Sequence, residues 1–383
     1  MIIYEQEHKI FRDAVRKFVQ QEIVPYVDEW QKKEEIPRSL WKKLGREGYL
    51  CPWVEEKYGG SGAGFEYSVI VIEEIARSTV GLVIAEHADI TTPYIADFGT
   101  EEQKERWLPG CTSGDLTTSI AMTEPNAGSD LRAIRTRAVK DGDYYVINGQ
   151  KTFITNGIAA DLVVLACKIG EPGSGDDGKI SLIVVEDGTP GFIKGRKLDK
   201  MGLHCENTGE LFFEDCRVPR SNLLGEEGMG LRMMMAELQR ERLVVTIWAQ
   251  VLAEKILADA IEYSKTREAF GQPICSFQHN SFKIAEMATE IELGRAFLDT
   301  LIQEFLQGKD IVTRVSMAKW WISEMANRVA YNSLQLYGGY GYMEEYPIAR
   351  LYRDVRAQTI YAGTTEIMKL IIARRLGLEK PKR

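Results

Sequence analysis

The chain has 383 residues, of which 44% are hydrophobic and 27% charged, and it carries a formal net charge of −8 at neutral pH. This length and composition are typical of a globular protein of two or three domains with ample apolar core. The acidic balance argues against a nucleic-acid-binding surface, and the absence of any apolar run of about 18 residues argues against a membrane span.

The six cysteines and four histidines are scattered, with no C-x-x-C or H-E-x-x-H spacing. This pattern favours reduced, mostly buried thiols and predicts no metal site. The first residues match neither a secretory signal nor an Arg/Ser-rich transit peptide, so a cytoplasmic location is expected. An organellar protein that had lost its targeting peptide would look the same.

Residues 1–115 are predicted to form an N-terminal all-α domain. Apolar residues recur at helical spacing, as at Phe11, Val15 and Phe18. The glycine-rich stretch 59–64 lacks the G-x-G-x-x-G spacing of a dinucleotide-binding turn and is predicted to be a loop.

Residues 116–226 are predicted to form a central antiparallel β domain. The β-rich run 143–147 is followed by Asn148-Gly149, a common two-residue hairpin signal, which predicts a turn there. Further β-rich runs occur at 162–166, 180–185 and 211–213. Residues 170–178, rich in glycine and acidic side chains, are predicted to form an exposed loop.

Residues 227–383 are predicted to form a C-terminal four-helix bundle. Apolar stripes at helical spacing mark helices around 243–252, 284–298, 320–336 and 366–376. The fold class predicted for the whole chain is therefore α+β.

Residues 120–130 read Ile-Ala-Met-Thr-Glu-Pro-Asn-Ala-Gly-Ser-Asp. Turn-forming residues dominate this segment, so an ordinary turn at the start of the β domain would explain them. The segment also closely resembles a motif of the acyl-CoA dehydrogenases, a family of flavoproteins, and the order of helical, β and helical regions resembles that family over nearly the whole chain. Asn126 stands where the family usually has glycine, and asparagine tolerates the left-handed conformation that such a loop can require.

The resemblance implies that residues 120–129 wrap the isoalloxazine ring of FAD. The implied contacts are Ile120, Met122, Thr123 and Ser129, and Ser129 is also implied in substrate binding. Hydroxyl and backbone N–H donors in this segment suit the edge of the flavin on which negative charge accumulates.

Residues 151–157 resemble a second family motif, which lies against the other side of the flavin. The implied contacts are Phe153, Ile154 and Thr155. An aromatic side chain at 153 suits a flat ring, although a plain strand that ends at Asn156-Gly157 would have the same sequence.

Residues 263–278 resemble a family segment that reaches the FAD bound to a neighbouring subunit. Arg267, Phe270 and Gln278 are the implied contacts. Arginine suits the pyrophosphate because a guanidinium pairs with phosphate in a bidentate manner, whereas an isolated arginine is usually a surface residue.

Two further segments resemble FAD contacts of the family. The first is Gln335, Leu336, Gly338 and Gly339, whose paired glycines would also suit a helix C-terminus. The second is Thr364, Thr365 and Glu366, which open the last predicted helix. Free N–H groups at a helix start attract phosphate.

Residues 361–366, Tyr-Ala-Gly-Thr-Thr-Glu, resemble the C-terminal signature of the family, but Ala362 stands where many members carry the catalytic glutamate. In the isovaleryl-CoA and long-chain branch the base lies instead on a helix, just before an arginine. Glu241, followed by Arg242, matches that arrangement, so Glu241 is predicted to be the base that removes the α-proton.

Helical spacing places Glu241 in line with Val245, Trp248 and Leu252 on an apolar stripe, where burial should raise its pKa. The open alternatives are a Glu241 that points to solvent or pairs with Arg240 or Lys255, and a base supplied by Glu237 one turn earlier. The resemblance implies a substrate site formed by Ser129, Gln239, Arg242, Ala362 and Gly363, in which the N–H at position 362 helps to hold the thioester oxygen.

The sequence therefore predicts an FAD-dependent acyl-CoA dehydrogenase, closest to the isovaleryl and long-chain branch. The resemblance implies trans-2-enoyl-CoA as product, an electron-transfer flavoprotein as electron acceptor and a homotetrameric assembly. One alternative is a flavin oxidase or monooxygenase of the same fold, and another is a non-catalytic acyl-CoA-binding protein.

Overall fold

The computed structural model describes residues 5–171 and 179–378, so most of the loop predicted at 170–178 lies outside the described residues. The N-terminal part is helical, as predicted. Its α-helices are α1 (Gln6–Glu22), α2 (Val27–Lys33), α3 (Arg38–Arg46), α4 (Phe65–Ser78), α5 (Val83–Ala85), α6 (Thr92–Phe98) and α7 (Glu101–Ser113). A π-helical turn, Glu86–Thr91, joins α5 to α6.

The middle part is a sheet of eight strands within the described residues. The strands are β1 (Thr118–Ala121), β2 (Arg137–Asp141), β3 (Tyr144–Ile154), β4 (Leu162–Ile169), β5 (Ile180–Glu186), β6 (Phe192–Lys197), β7 (Gly209–Pro219) and β8 (Leu223–Leu224). Their order is β6-β7-β3-β2-β4-β5-β8, with β1 beside β4. Most pairs are antiparallel, as predicted, but β4 pairs in parallel with β1 and with β2.

The prediction of a hairpin turn at Asn148-Gly149 was wrong. Strand β3 continues through both residues, and the chain turns instead at Gly142, between β2 and β3. Gly149 lies at a register shift against β7, with a positive φ of 148°, and a β-carbon there would come within 2.5 Å of Thr136 Oγ1. Glycine is required at this position for a bulge and a close strand contact rather than for a turn.

The C-terminal part contains the four predicted long helices and one additional short helix. In chain order its elements are α8 (Gly230–Thr266), β9 (Glu268–Ala269), β10 (Gln272–Pro273), α9 (Gln278–Leu306), α10 (Val312–Tyr337), α11 (Pro347–Asp354) and α12 (Thr365–Arg375). The two short strands β9 and β10 pair with each other between α8 and α9.

The largest hydrophobic core is shared by the N-terminal and C-terminal helices. It includes Val69 and Ile72 of α4, Val251 of α8 and Ile322 of α10. Because one core crosses the predicted boundaries, the division at 115/116 and 226/227 stays a prediction from the sequence pattern.

Strand β4 is buried on both faces. Leu162 and Val164 contribute to a core against the helices, whereas Val163 and Leu165 contribute to a core on the opposite face of the sheet. This alternation follows from the two-residue period of a strand. Strand β1 pairs with this buried strand and carries the start of residues 120–130. Residues 120–130 and 151–157, which resemble flavin-binding segments, are called the first and second flavin-like motifs below.

Candidate active site

Helix α8 places Glu241 inside the protein. Val245, Trp248 and Leu252, which share its helix face, are buried, and Glu241 itself is 6% exposed. The Tyr94 hydroxyl of α6 donates a hydrogen bond of 2.6 Å to Glu241 Oε1. Burial raises the pKa of Glu241 to about 7, while Tyr94 and Arg242 act in the opposite direction. The predicted burial is confirmed, and the direction of the pKa shift is the one predicted.

The two cations named above as alternative partners of Glu241 bind other groups. Arg240 donates to Asp89 Oδ1 at 2.8 Å, and its guanidinium lies over the rings of Trp53 and Phe65. Lys255 binds Asp259, one turn further along α8. Glu241 is therefore a buried carboxyl group held by a neutral donor.

Two other buried carboxyl groups lie close to Glu241. Burial and a hydrogen bond shared with Asp97 raise the pKa of Glu237 to about 8. Burial also raises the pKa of Glu86 to about 8, and Glu86 Oε1 accepts hydrogen bonds from the Thr91 hydroxyl and from the Ile120 N–H. Glu86 thus connects the region of the candidate base to the first flavin-like motif.

The loop that carries Ala362 adjoins Arg242. Ala362 and Gly363 have positive φ values of 51° and 92°. The φ of Gly363 is a conformation that residues with a side chain rarely adopt, and a β-carbon there would lie 2.6 Å from Met368 Cε and 3.9 Å from Arg242 Nη2. The N–H of Ala362 has no acceptor among the described residues, which leaves it available to a ligand.

A buried lysine supports this loop from helix α10. Lys319 Nζ donates to the Gly363 carbonyl at 2.6 Å. Burial and the neighbouring Arg242 lower the pKa of Lys319 to about 7. Arg242 and Lys319 therefore both adjoin the loop of Ala362 and Gly363, and Arg242 follows Glu241 on α8.

The two flavin-like motifs lie side by side. The Thr152 N–H donates to the Thr123 carbonyl at 3.0 Å, and Lys151 Nζ donates to the Met122 carbonyl at 2.9 Å. Lys151 also forms a buried ion pair of 2.8 Å with Glu124. These contacts fix the first motif, with Ile120, Met122 and Thr123, against the segment that contains Ile154.

Phe153 and Thr155 flank Ile154 in this arrangement. Phe153 has a positive φ of 59° and a side chain that is 69% exposed, an unusual combination for a large aromatic residue. The Thr155 carbonyl accepts from the Ser119 hydroxyl at 2.5 Å. Exposed aromatic surface on a strained, well-anchored backbone is suited to contact with a flat ligand.

A second candidate ligand site lies at the C-terminal end of α8, away from Glu241. A pocket of about 380 Å³ is lined by Arg267, Gln335, Leu336, Gly338 and Gly339, together with three tyrosines. Arg267 forms no ion pair with any described residue; its guanidinium lies 5.3 Å from the centre of the Tyr340 ring. A β-carbon on either glycine would meet no atom within 4 Å, so the pocket has room beside the backbone.

Phe270 and Gln278 lie beside this second site. The Phe270 side chain is 96% exposed and contacts Phe277 edge-on at 6.1 Å. Gln278 is the exposed first residue of α9. Both side chains are therefore directed towards solvent, and their predicted contact with the FAD of a neighbouring subunit stays a prediction.

The residues predicted at the start of the last helix do form its N-terminus. Thr364 is the N-cap of α12, and its hydroxyl oxygen accepts from the Ile367 N–H at 3.3 Å. Thr365 donates to Glu324 at 2.8 Å, whereas Glu366 is exposed in the first turn.

Two predicted substrate contacts are not drawn into this arrangement. Gln239 lies about 200° around α8 from Glu241, and its Oε1 accepts from the Ile311 N–H at 3.1 Å. Ser129 is exposed in the loop after β1. Their roles stay predictions from the resemblance.

Sequence reasoning missed Tyr94 and Lys319. The hydrogen-bonded pair Tyr94 and Glu241 is separated by 147 positions, so no local pattern indicated it. A signal for Lys319 was present: it lies on the buried face of α10, four residues after Val315 and three before Ile322. A lysine on such a stripe needs a polar partner inside the protein.

Among residues 5–171 and 179–378, no group of three or more His, Cys, Asp or Glu side chains is placed to hold a metal ion. Within the same residues, no helix has the length and apolar character needed to cross a membrane.

Comparison with known proteins found three matching family models. They are described as acyl-CoA dehydrogenase N-terminal domain, middle domain and C-terminal domain, and they match residues 5–115, 119–216 and 228–377. Together they cover almost the entire chain.

Individual proteins match over the same extent. The mitochondrial long-chain specific acyl-CoA dehydrogenase of Sus scrofa is 46% identical, over 99% of this chain and 88% of its own. The mitochondrial isovaleryl-CoA dehydrogenase of Pongo abelii is 37% identical, over 96% and 88%. The crystal structure of an acyl-CoA dehydrogenase from Geobacillus kaustophilus has a TM-score of 0.95 and 58% identity, over 97% of this chain and 98% of that one.

Proposed function

The chain belongs to the acyl-CoA dehydrogenase family, and from that premise we propose that it oxidises an acyl-CoA thioester to trans-2-enoyl-CoA with Glu241 as the α-proton base. The observation that carries this proposal is the buried carboxyl group of Glu241, with its pKa raised to about 7, next to Arg242, which adjoins the loop that has alanine at 362. A general base is most effective when its pKa lies near the working pH. Ala362 cannot accept a proton, and Glu241 supplies the carboxylate instead.

The residues present fit FAD. Phe153 and Thr155 on one side and Ile120, Met122 and Thr123 on the other would hold the flavin, which when bound accepts the hydride from the β-carbon of the substrate. The pocket with Arg267, Gln335, Leu336, Gly338 and Gly339 would hold the pyrophosphate and adenosine part of an FAD, together with Phe270 and Gln278. The Thr364–Glu366 segment follows the Ala362 loop at the opposite end of α8 and would contact FAD there. The support is the guanidinium of Arg267, which forms no ion pair among the described residues, and the open space beside the paired glycines.

The chain's own groups favour removal of the α-proton. The N–H of Ala362, which has no acceptor within residues 5–171 and 179–378, would donate to the thioester oxygen, where negative charge develops as the α-proton leaves. The guanidinium of Arg242 lies beside this loop and stabilises the same charge. Burial of the site excludes water, which strengthens these interactions.

The partners are part of the proposal. An electron-transfer flavoprotein as electron acceptor, a homotetramer and a cytoplasmic location follow from the family resemblance and the sequence. The proposal of an oligomer gains support from the exposed Phe270 beside the second pocket.

The first test is the visible spectrum of the purified protein during anaerobic titration with isovaleryl-, butyryl-, octanoyl- and palmitoyl-CoA. Bleaching of the flavin absorbance by one thioester supports dehydrogenation and identifies the acyl-chain class. A yellow protein that none of them bleaches would favour an unusual acyl group or the oxidase alternative. A colourless protein that takes up no FAD would contradict the proposal.

Replacement of the base is the second test. Glu241→Gln is expected to retain FAD and to bind the bleaching thioester, while turnover falls by about 10³-fold. Glu237→Gln, one turn earlier, should keep most of the turnover. The reverse pattern in stopped-flow flavin reduction would transfer the role of base to Glu237.

A further inference from the structure

The hydroxyl of Tyr94 is the hydrogen-bond partner of Glu241, and this hydrogen bond is short and buried. The Tyr94 side chain is 0% exposed and its hydroxyl lies 2.6 Å from Glu241 Oε1. Burial, with the charge of Glu241, raises the pKa of this tyrosine well above its ordinary value. The hydroxyl therefore stays protonated and can only donate to the carboxylate.

This contact leaves the two oxygens of Glu241 unequal. Oε1 accepts from Tyr94, whereas Oε2 accepts no hydrogen bond from any described residue. A carboxylate held through one oxygen cannot rotate freely, so the other oxygen is presented in a defined direction. Proton transfer needs such orientation because the reacting atoms must approach to about 3 Å.

We propose that Tyr94 is a positioning residue for the α-proton base: its hydroxyl holds Oε1 of Glu241 and thereby presents Oε2 to the substrate. This inference rests on the proposed role of Glu241. It assigns a function to a residue on α6, an element that carries none of the flavin-like motifs.

The other groups that face Glu241 cannot replace this contact. Arg242 is the neighbouring residue on α8 and lowers the pKa of Glu241 through its charge, with no hydrogen bond to it. Glu237 on α8 shares a hydrogen bond with Asp97, and Glu86 on the π-helical turn accepts from Thr91 and Ile120; neither forms a hydrogen bond with Glu241 among the described residues. Tyr94, on α6, supplies the larger of the two effects that lower the pKa of Glu241.

The surroundings fix the tyrosine ring independently of its hydroxyl. Tyr94 belongs to the core between the helices and the sheet, and its ring lies 6.3 Å from that of Phe98. The turn before α6 is tied down by the Thr92 hydroxyl, which donates to the His87 carbonyl at 2.7 Å. Phenylalanine should fill the same space, so its substitution isolates the hydroxyl.

The test is the pH dependence of Tyr94→Phe in the FAD-loaded enzyme, with the thioester that bleaches the wild-type flavin. We expect kcat near pH 7 to fall about tenfold or more and the acid limb of kcat/KM to move up by about one pH unit. The shift follows because a lost hydrogen bond to the charged form makes Glu241 harder to ionise. Activity should partly recover at alkaline pH.

A matched control removes a similar hydroxyl elsewhere. Tyr145 is also buried and donates to a glutamate, Glu227 Oε1, at 2.7 Å in the β domain. Tyr145→Phe should leave the pH profile unchanged. A second variant, Tyr94→3-fluorotyrosine, keeps the shape but makes the hydroxyl a stronger donor, and it should move the acid limb to lower pH.

A measurement that does not depend on net oxidation gives a separate check. Exchange of the α-protons of the bound thioester with deuterium from D₂O, followed by mass spectrometry, reports proton transfer directly. Tyr94→Phe should slow this exchange and shift its pH dependence in the same direction as that of kcat/KM.

Failure of this inference can be told apart from failure of the proposed function. Unchanged acid limbs in both Tyr94 variants, combined with an inactive Glu241→Gln, would overturn the role of Tyr94 and leave Glu241 as the base. An active Glu241→Gln would instead remove the base assignment. A Tyr94→Phe protein with lower activity but a wild-type acid limb has only a structural defect, which also overturns the inference.

Discussion

Burial gives Glu241 the raised pKa that suits its proposed role as base, and the same burial destabilises its ionised form. A carboxyl group of this kind has an ordinary pKa of 4.5, and burial raises that of Glu241 to about 7. The folded protein therefore binds this proton more tightly than the unfolded chain does. The resulting stabilisation is fully present below pH 4.5 and is lost as the pH rises through about 7.

Glu241→Gln should therefore stabilise the protein in a pH-dependent manner. We compare the free energy of unfolding of the variant with that of the wild type at each pH. Between pH 4.5 and values above pH 7, this difference should shift by about 3 kcal/mol in favour of the variant, because glutamine carries no charge to bury. Urea unfolding with saturating FAD, at a series of pH values, measures this difference. Glu262→Gln, at an exposed glutamate, serves as the control and should show no such trend. Parallel curves for Glu241→Gln and wild type would contradict the burial argument.

Helix α7 shows how a single side chain can join two elements. Thr100 and Gln103 form a reciprocal capping box at its N-terminus, with bonds of 3.3 Å and 2.9 Å. Gln103 Nε2 also donates to the carbonyls of Ser221 and Leu223, at 2.6 Å and 2.8 Å. The residue that caps the helix therefore also anchors it to the edge of the sheet at β8.

Gln103→Glu should separate these two roles. A glutamate keeps the oxygen that accepts from the Thr100 N–H, but it loses both donors and places a carboxylate against two carbonyl oxygens. We expect a loss of about 2 kcal/mol in the free energy of unfolding, against about 1 kcal/mol for Thr100→Ala, which removes only one half of the cap. Chemical denaturation measures both. An equal loss in the two variants would mean that the sheet contacts add nothing.

The length of α8 has a consequence for the whole molecule. About 39 Å of helix separates Glu241 from Arg267, which follows the last residue of α8. This distance is beyond the reach of a single FAD molecule that places its flavin near Glu241. The second pocket is therefore expected to serve the FAD of another subunit, so that a complete cofactor site requires at least two chains.

Phe270→Asp should consequently weaken both assembly and cofactor binding. The phenylalanine is 96% exposed in the isolated chain, and a charge there would oppose its burial against a partner. For the wild type we expect sedimentation at four times the 43.3 kDa chain mass, with flavin absorbance at the same boundary. The variant should sediment as smaller species and lose FAD on dilution. A wild-type monomer that retains FAD would contradict the shared-site proposal.

The sequence by itself determined the features that depend on local patterns. The helix–sheet–helix order followed from hydrophobic periodicity, and the burial of Glu241 followed from its spacing to Val245, Trp248 and Leu252. Residues 120–130 and 151–157 were recognised as flavin-like motifs because each is a continuous run. Neighbouring positions along the chain were sufficient for all of these predictions.

The tertiary structure alone decided which distant residues meet. Tyr94 reaches Glu241 across 147 positions, and Lys319 reaches Gly363 from another helix. Asn148-Gly149 was predicted as a turn because its local preference is strong, but the pairing of β3 with β7 prevailed and made it a bulge. Local preferences amount to about 1 kcal/mol, whereas side-chain packing and buried hydrogen bonds between distant elements sum to more, so long-range contacts decide wherever the two conflict.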